Sequence, residues 1–320
     1  LIANWPVQSF YLPDGMANYS VNNKNYLITA NEGDEKEYTP LNERTTVSAV
    51  TLDATKFPQG DMLKETHALG RFRITNTQGD TDGDGDYDAL YSVGSRSFSI
   101  WDATSKSLVW DAGDQLEWIT SKHPAVGRIF NADNEGIALK GRSRAKGPEP
   151  EGVTVAEING RSFAFVALER TGGVMVYDVT NPTAPVFEDY QNTRSNTALT
   201  GDLGPEGIQY ISNANSPTGK PYVIVANEIS GTITVFEIIN NTLVSAVETI
   251  NTNQNILAYP NPATDHIFVK NVDFMTITNM VGKVVYQGQN QADGIKVDNL
   301  ATGVYFIRDN YGRTCKFVVK

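Results

Sequence analysis

The sequence predicts an all-β protein in two parts: part of a β-propeller over residues 1–250, and a small antiparallel, immunoglobulin-like β-sandwich over residues 256–320, joined by a polar linker at 251–255. Three observations carry this. The composition favours strands, with 27 Gly, 14 Pro and 14 Tyr and almost no stretch of helical period. Two segments repeat: "PEGVTVAEINGRSFAFVALERTGGVMVYDVTNP" (150–182) and "PEGIQYISNANSPTGKPYVIVANEISGTITVFEI" (205–238) each run Pro-Glu-Gly, strand, polar turn, apolar strand, Gly turn, strand. Short alternating strands with Gly and Asn turns fill the chain after "NTNQN" (251–255).

In chain order, "PDGMANYSVNNKNYLITANEGDEKEY" (13–38) opens like the repeats, with Asp14 where they carry Glu151 and Glu206. Residues 71–119 read as a fourth unit without that signature, and within it "FSIWDATSKSLVWD" is an alternating hairpin. Units recurring about every 40–50 residues fit propeller blades better than a sandwich. About four blades are legible on that pattern. The polar excursion 120–149 reads as a long functional or capping loop with room for one helical turn. The second part holds strands in "HIFVKNV", "FMTITNMVGKVVYQGQ", "GIKVDNL" and "GVYFIRDNYGRTCKFVVK".

Composition narrows the function. With 37 acidic against 26 basic residues, net charge −11, the chain is a poor partner for nucleic acid or an anionic membrane surface. No apolar run approaches the roughly 18 residues that span a bilayer. The opening "LIANWPVQSFYLPDG" lacks the regions of a signal peptide. The single Cys315 cannot form an internal disulfide, and no Cys/His cluster offers a zinc site. There is no G-x-S-x-G elbow or Walker-type loop, and His67, His123 and His266 are scattered. Trp101, Trp110 and Trp118 fall near strand positions, where core packing accounts for them.

Two constellations carry possible chemistry. In "GDTDGDGDYDALYSVG" (79–94), Asp80, Asp82, Asp84 and Asp88 stand at positions 1, 3, 5 and 9 of a D-x-D-x-D-G-x-x-D loop, with the Asp86 carbonyl at 7. Such a set suits a hard, oxygen-seeking cation, and Gly85 permits the sharp turn. Tyr91 occupies position 12, where an EF-hand needs a bidentate Glu, and the flanks are strand-like. The expectation is a calcium-clamped β-hairpin loop, a structural clamp before a catalytic metal.

The second constellation is the repeated acids. Glu32 follows Asp14 by 18 residues, Glu169 follows Glu151 by 18, and Glu228 follows Glu206 by 22. Equivalent positions in successive blades should form two arcs, and gathered carboxylates repel unless neutralised. Arg142, Lys146 and Arg170 are the cations at hand, and Asp34, Glu35 and Glu37 add more acid. One reading makes the arcs a second calcium site at a channel mouth, with Glu32, Asp34 and Glu151 as weaker metal candidates. Glu169, Arg170, Glu206 and Glu228 would then be the catalytic candidates of a calcium-dependent phosphoesterase of phytase type. The other makes them turn grammar, each Glu accepting backbone N–H bonds from a neighbouring blade, and repetition favours it.

Residues 1–250 resemble the choice-of-anchor I family through "LPDGMA", "TANEGDEKEY", "GDTDGDGDYDALYSVGSRSFSIWDA", "KGPEPEGV", "FAFVALERTGGVMVYDVTNP" and "GDLGPEGI". Members resemble closed propellers of about seven blades, which implies further blades upstream of Leu1. The last 65 residues look like the type A C-terminal sorting domain of the Bacteroidota type IX secretion system, through "YPNPATD" (259–265), "ITNMVGKVVY" (277–286), "LATGVYFIR" (300–308) and "KFVVK" (316–320). That resemblance implies a secreted or surface protein whose residues 256–320 dock on the type IX translocon and its outer-membrane shuttle protein. It further implies release of the cargo or its attachment to lipopolysaccharide. For the first part it leaves a binding or surface module.

Overall fold

The computed structural model describes residues 2–239, 242–245, 256–272, 274–309 and 314–320, so the expected linker at 251–255 lies outside the described residues. The chain divides into two compact units, Leu1–Val247 and Glu248–Lys320. Both are built from small, mostly antiparallel sheets, and none closes into a barrel among the described residues.

Three four-stranded sheets frame the first unit. The first runs Leu108–Asp111, Phe98–Asp102, Lys24–Ala30, Met16–Val21 in spatial order. The second runs Pro150–Ile158, Arg161–Leu168, Val174–Asp178, Val186–Gln191, and the third Pro205–Ile211, Tyr222–Asn227, Thr232–Ile239, Thr242–Ser245. Two-residue turns set the register. Asn22 and Asn23 (φ 51° and 61°) join Val21 to its partner Lys24, and Asn159 and Gly160 (φ 53° and 77°) join Ile158 to Arg161. Paired left-handed residues are the hairpin turn that matches strand twist.

The segment 71–119, expected as a separate unit, does not make its own sheet. Its strand Phe98–Asp102 pairs with Lys24–Ala30, placing Ile100 opposite Ile28, so four sequence units condense into three sheets. The end of that unit, where Trp118 was expected near a strand position, is likewise corrected: Gln115–Lys122 is a helix, burying Leu116 and Thr120. Trp118 on its outer side is 42% exposed, with the Lys122 ammonium over its ring, and is not a core residue. Residues between 31 and 97 form a side layer with its own core of Val47, Phe57, Leu63, Leu69, Ile74 and Leu90.

Side-chain alternation explains the stacking. Along "FAFVAL", Ala164, Val166 and Leu168 face the core shared with Ile28 and Ile100 of the first sheet, while Phe163 and Phe165 face Val223, Val225 and Phe236 of the third. A strand buried on both faces must be apolar at consecutive positions, as this one is. The strands that begin with the Pro-acid-Gly motif lie at the same edge of each sheet and meet backbone to backbone. The Gly15 N–H donates to the Glu151 carbonyl at 2.9 Å. A Cβ on Gly15 would lie 2.2 Å from that carbonyl oxygen, and one on Gly152 would lie 2.1 Å from the Glu206 carbonyl.

The second unit is a two-sheet sandwich. Leu257–Tyr259, His266–Lys270 and Ile295–Lys296 form one sheet; Val284–Gln289, Phe274–Asn279, Gly303–Asp309 and Thr314–Val319 form the other. Ile267, Val269, Ile277, Ile307, Phe317 and Val319 fill the space between. "YPNPATD" and "KFVVK" are bound together: the Ala263 N–H donates to the Val318 carbonyl (2.7 Å), and the Lys320 N–H to the Ala263 carbonyl (2.9 Å).

Glycine substitutions test this arrangement. Gly15→Ala and Gly152→Ala are each expected to cost about 1–3 kcal/mol of stability in urea unfolding, because rigid backbone must move aside. Gly207→Ala, at the equivalent place in the third sheet, is expected to change little, since its Cβ would meet only the Ala226 methyl at 3.5 Å. Equal effects at all three positions would contradict the close edge contacts.

Candidate functional site

The Pro-acid-Gly motif is one part of a larger backbone device. In each repeat the residue before the proline is left-handed: Leu12 (φ 42°), Glu149 (φ 54°) and Gly204 (φ 69°). Its carbonyl accepts an N–H from beyond the second strand, from Gly33 (3.0 Å), Glu169 (2.8 Å) and Glu228 (2.7 Å). Glu169 and Glu228 are thus equivalent as the spacing implied, whereas in the first repeat Gly33 holds that place and Glu32 stands one residue earlier. A non-glycine residue in this conformation before proline is disfavoured, so Leu12 and Glu149 are held there by their surroundings.

Glu149 shows what those surroundings are. Its carboxylate is fully buried and receives Arg142 through Nε (2.8 Å) and Nη2 (2.6 Å), Lys146 Nζ (3.1 Å) and Arg170 Nε (3.3 Å). Lys146, itself buried, also donates to the Glu32 carboxylate and to the Gly33 carbonyl (2.5 Å). Glu169 forms an ion pair with Arg170 Nη2 (3.2 Å) and accepts a hydrogen bond from Asn134 Nδ2 (3.3 Å). The three cations named from sequence therefore do converge on acid. Their centre is a residue the sequence reading passed over, because the first Glu of "PEPEG" lies outside the aligned Pro-Glu-Gly.

The electrostatics follow this wiring. Burial alone would raise Glu149, but Lys146, Arg142 and Arg170 overcome it and hold the carboxyl below its ordinary value. Burial opposes the charge on Lys146 as well, yet Glu149 and Glu32 hold its ammonium above the usual range. Burial raises Glu32 further than Lys146 lowers it. Burial pushes Glu169 up to about 7, with Arg170 opposing and Glu149 adding. Glu151 is pushed up to about 9 by burial and then by Glu169, Glu32, Glu206 and Asp14.

The remaining acids divide by exposure. Asp34 sits at the rim, 3.6 Å from Lys146 and 80% exposed. Glu35 and Glu37 turn to Arg44. Glu206 and Glu228 are exposed and take no part in the ion-pair network among the described residues. His123 packs its ring edgewise against Tyr190 at 5.3 Å.

The aspartate loop is wound on its own backbone. Asp80 accepts from Gly83 N–H (2.7 Å) and Gly85 N–H (3.1 Å), Asp82 from Asp84 N–H (3.3 Å), Asp84 from Asp86 N–H (3.1 Å), and Asp88 from both N–H (2.8 Å) and Oγ1 (2.6 Å) of Thr81. These Asx turns alone gather the carboxylates. Oxygens of Asp80, Asp82 and Asp88 lie within 4.8 Å of one another, as do those of Asp53, Asp86 and Asp88. Asp53 was not legible from the loop itself. It is carried in by pairing around Leu52 and Tyr87, with the Asp53 N–H donating to the Tyr87 carbonyl at 3.1 Å. Asp84 belongs to neither group. The expected hairpin is corrected too: Arg73–Thr75 pairs with Arg44–Thr46, and Tyr91–Val93 pairs in parallel with Gln8–Phe10. The all-oxygen donor set fits a hard cation such as calcium.

The buried acids predict a pH dependence. A carboxyl raised above its ordinary 4.5 stabilises the fold fully below that value, and the contribution is lost as pH rises through the folded value. Glu149, held low, acts in the opposite sense and only on the acid side of 4.5. Stability of the chain in chelator is therefore expected to fall from about pH 5 to about pH 9 in denaturant titrations. Glu169→Gln should flatten the fall below about pH 7, and Glu151→Gln should flatten it throughout and remove most of what lies above about pH 7. A flat wild-type profile would rule out uncompensated burial of Glu151.

Comparison with known proteins matches these two units to two families. Residues 1–182 match the Choice-of-anchor I domain, and residues 257–320 match the Secretion system C-terminal sorting domain. Gigasin-3a of Magallana gigas is 28% identical over 53% of this chain and 64% of its own length. The Mesenchyme-specific cell surface glycoprotein of Strongylocentrotus purpuratus is 22% identical over 77% of this chain and 34% of its own length, so the chain spans less than two thirds of either relative. Among solved structures, PorZ, a surface component of the type IX secretion system of Porphyromonas gingivalis, aligns at 9% identity over 95% of this chain and 51% of that one, with a TM-score of 0.20 too low to bear on the fold. No helix of the described residues is long and apolar enough to cross a membrane. The sorting domain marks the chain as cargo of the type IX secretion system, bound for the cell surface or the medium. By the match over more than half its length, the chain belongs to the choice-of-anchor I family, with a secretion-system sorting domain at its C-terminal end.

Proposed function

We propose that the first unit is a calcium-stabilised binding module of propeller type, displayed outside the cell as type IX cargo. The observation that carries this over an enzyme is the commitment of the three cations: Arg142, Lys146 and Arg170 are engaged by Glu149, Glu32 and Glu169. A phosphoesterase needs cations turned toward a bound phosphate, and these are turned toward protein. The propeller reading is supported by three four-stranded sheets with equivalent edges in contact, and the calcium reading by the preformed aspartate loop. Lipopolysaccharide is the surface component to which we assign final attachment.

Chelation with EDTA is expected to lower Tm by roughly 5–10 °C, and Asp80→Asn with Asp82→Asn to lower it similarly without chelator, from a ligand contribution of about 2–3 kcal/mol. An unchanged Tm in both cases would remove the clamp. Hydrolysis of a phosphomonoester that is lost in Glu169→Gln or Glu206→Gln would restore the enzymatic reading. Deleting 316–320 takes away the edge that binds Ala263, and cell fractionation should then find the protein held in the periplasm. Normal export of the deletion would overturn that assignment.

A further inference from the structure

Among the buried acids described in the first unit, Glu151 is left out of the ion pairs. Glu151 is 9% exposed, and its buried Oε2 has no hydrogen-bond partner. An orphaned buried carboxylate oxygen is costly and calls for a missing water or ion. Around it stand two further acids from the first sheet's side of the contact. Oxygens of Asp14, Glu32 and Glu151 all lie within 4.8 Å of one another. Two oxygens that both bind one calcium ion at about 2.4 Å can stand no farther apart than about 4.8 Å, so one ion can reach all three carboxylates.

We propose that a divalent cation, calcium by the chemistry of its ligands, binds between the first and second sheets on the carboxylates of Asp14, Glu32 and Glu151. This site is distinct from the aspartate loop and does not depend on it. Backbone contacts fix its three ligands. The Gly15 N–H donates to the Glu151 carbonyl (2.9 Å), the Asp14 N–H to the Ala30 carbonyl (3.0 Å), and the Gly33 N–H to the Leu12 carbonyl (3.0 Å). These bonds anchor the residue beside or at each ligand, so the carboxylates meet because the sheets meet.

Charge balance agrees. Lys146 donates to one oxygen of Glu32 and also faces Glu149 and Asp34, and among the described residues no ion pair reaches Asp14 or Glu151. A doubly charged ion together with Lys146 neutralises the three carboxylates. The ligands are all oxygen, which selects calcium or magnesium over zinc or copper, and the exposed Asp14 edge leaves room for the waters that complete a coordination shell of six to eight. The cation would act as a rivet between two sheets, and the same Gly that allows the close approach of backbones would create the site.

The test uses the full chain with the aspartate loop silenced by Asp80→Asn, Asp82→Asn and Asp88→Asn. Titration with calcium chloride by calorimetry, checked by terbium luminescence, is expected to show one remaining site. Adding Glu151→Gln should weaken that site at least tenfold, while circular dichroism shows the fold retained. Asp14→Asn, at an exposed position that leaves the core alone, should weaken it as well and serves if the Glu151 variant does not fold. Absence of a calcium site in the loop-silenced chain, or affinity unchanged by both substitutions, overturns the proposal. Two sites persisting in the loop-silenced chain would instead overturn the loop assignment, so the two readings fail separately.

Discussion

The arrangement of the first unit depends on one buried charge. Glu149 sits in a left-handed conformation before a proline, has no exposure, and is surrounded by Arg142, Lys146 and Arg170. Each condition needs the others. The backbone strain places the Glu149 carbonyl where the Glu169 N–H meets it, and the three cations repay the desolvation of its carboxylate. Arg142 and Lys146 come from the long segment after the helix, and Arg170 from the end of the second sheet's central strand, so this one carboxylate ties loop to sheet. Removal of any single partner from such a group leaves an unbalanced buried charge, which is far more destabilising than the pair is stabilising.

Around that centre the repeats explain what was legible in the sequence. "PEG", "PEG" and "PDG" announced equivalent edge strands because only glycine lets the backbones approach as Gly15 and Gly152 do. The acids beside them were legible for the same reason. What the repeats concealed was connectivity: the first sheet borrows Phe98–Asp102 and Leu108–Asp111 from far along the chain, so a local count of units gave about four where three four-stranded sheets form among the described residues. Glu149 and Asp53 were hidden for a different reason. Neither belongs to a motif: Glu149 acquires its role through side-chain contacts with Arg142, Lys146 and Arg170, and Asp53 through a contact with Tyr87 far along the chain. The helix Gln115–Lys122 was missed because eight residues give too short a period to separate from the alternation of "SLVWD" before it.

The sorting domain illustrates the opposite situation, in which nearly everything was local. Its four motifs are strands or turns of one small sandwich, and the first and last touch directly through Ala263 and Val318. An alternating pattern with a single buried face specifies its own register, because a slip by one residue would turn Ile267 and Val269 outward and Phe268 inward. The terminal strand is thus part of the fold as well as the end of the chain.

The two acidic clusters of the first unit share a logic. Asp80, Asp82 and Asp88 gather at a loop whose backbone is already wound for a cation, and Asp14, Glu32 and Glu151 gather where two sheets touch. In both places carboxylates are gathered with only part of their charge offset, by the Thr81 donors to Asp88 in the loop and by Lys146 on Glu32 between the sheets, and what remains is electrostatic stress in the folded chain. A cation that binds only the folded state removes that stress by mass action, more strongly where calcium is abundant. For a cargo of the type IX system, stability would then depend on where the protein is, least before export and greatest outside. On that reading the negative balance of 37 acidic against 26 basic residues is partly a requirement for ions supplied by the destination.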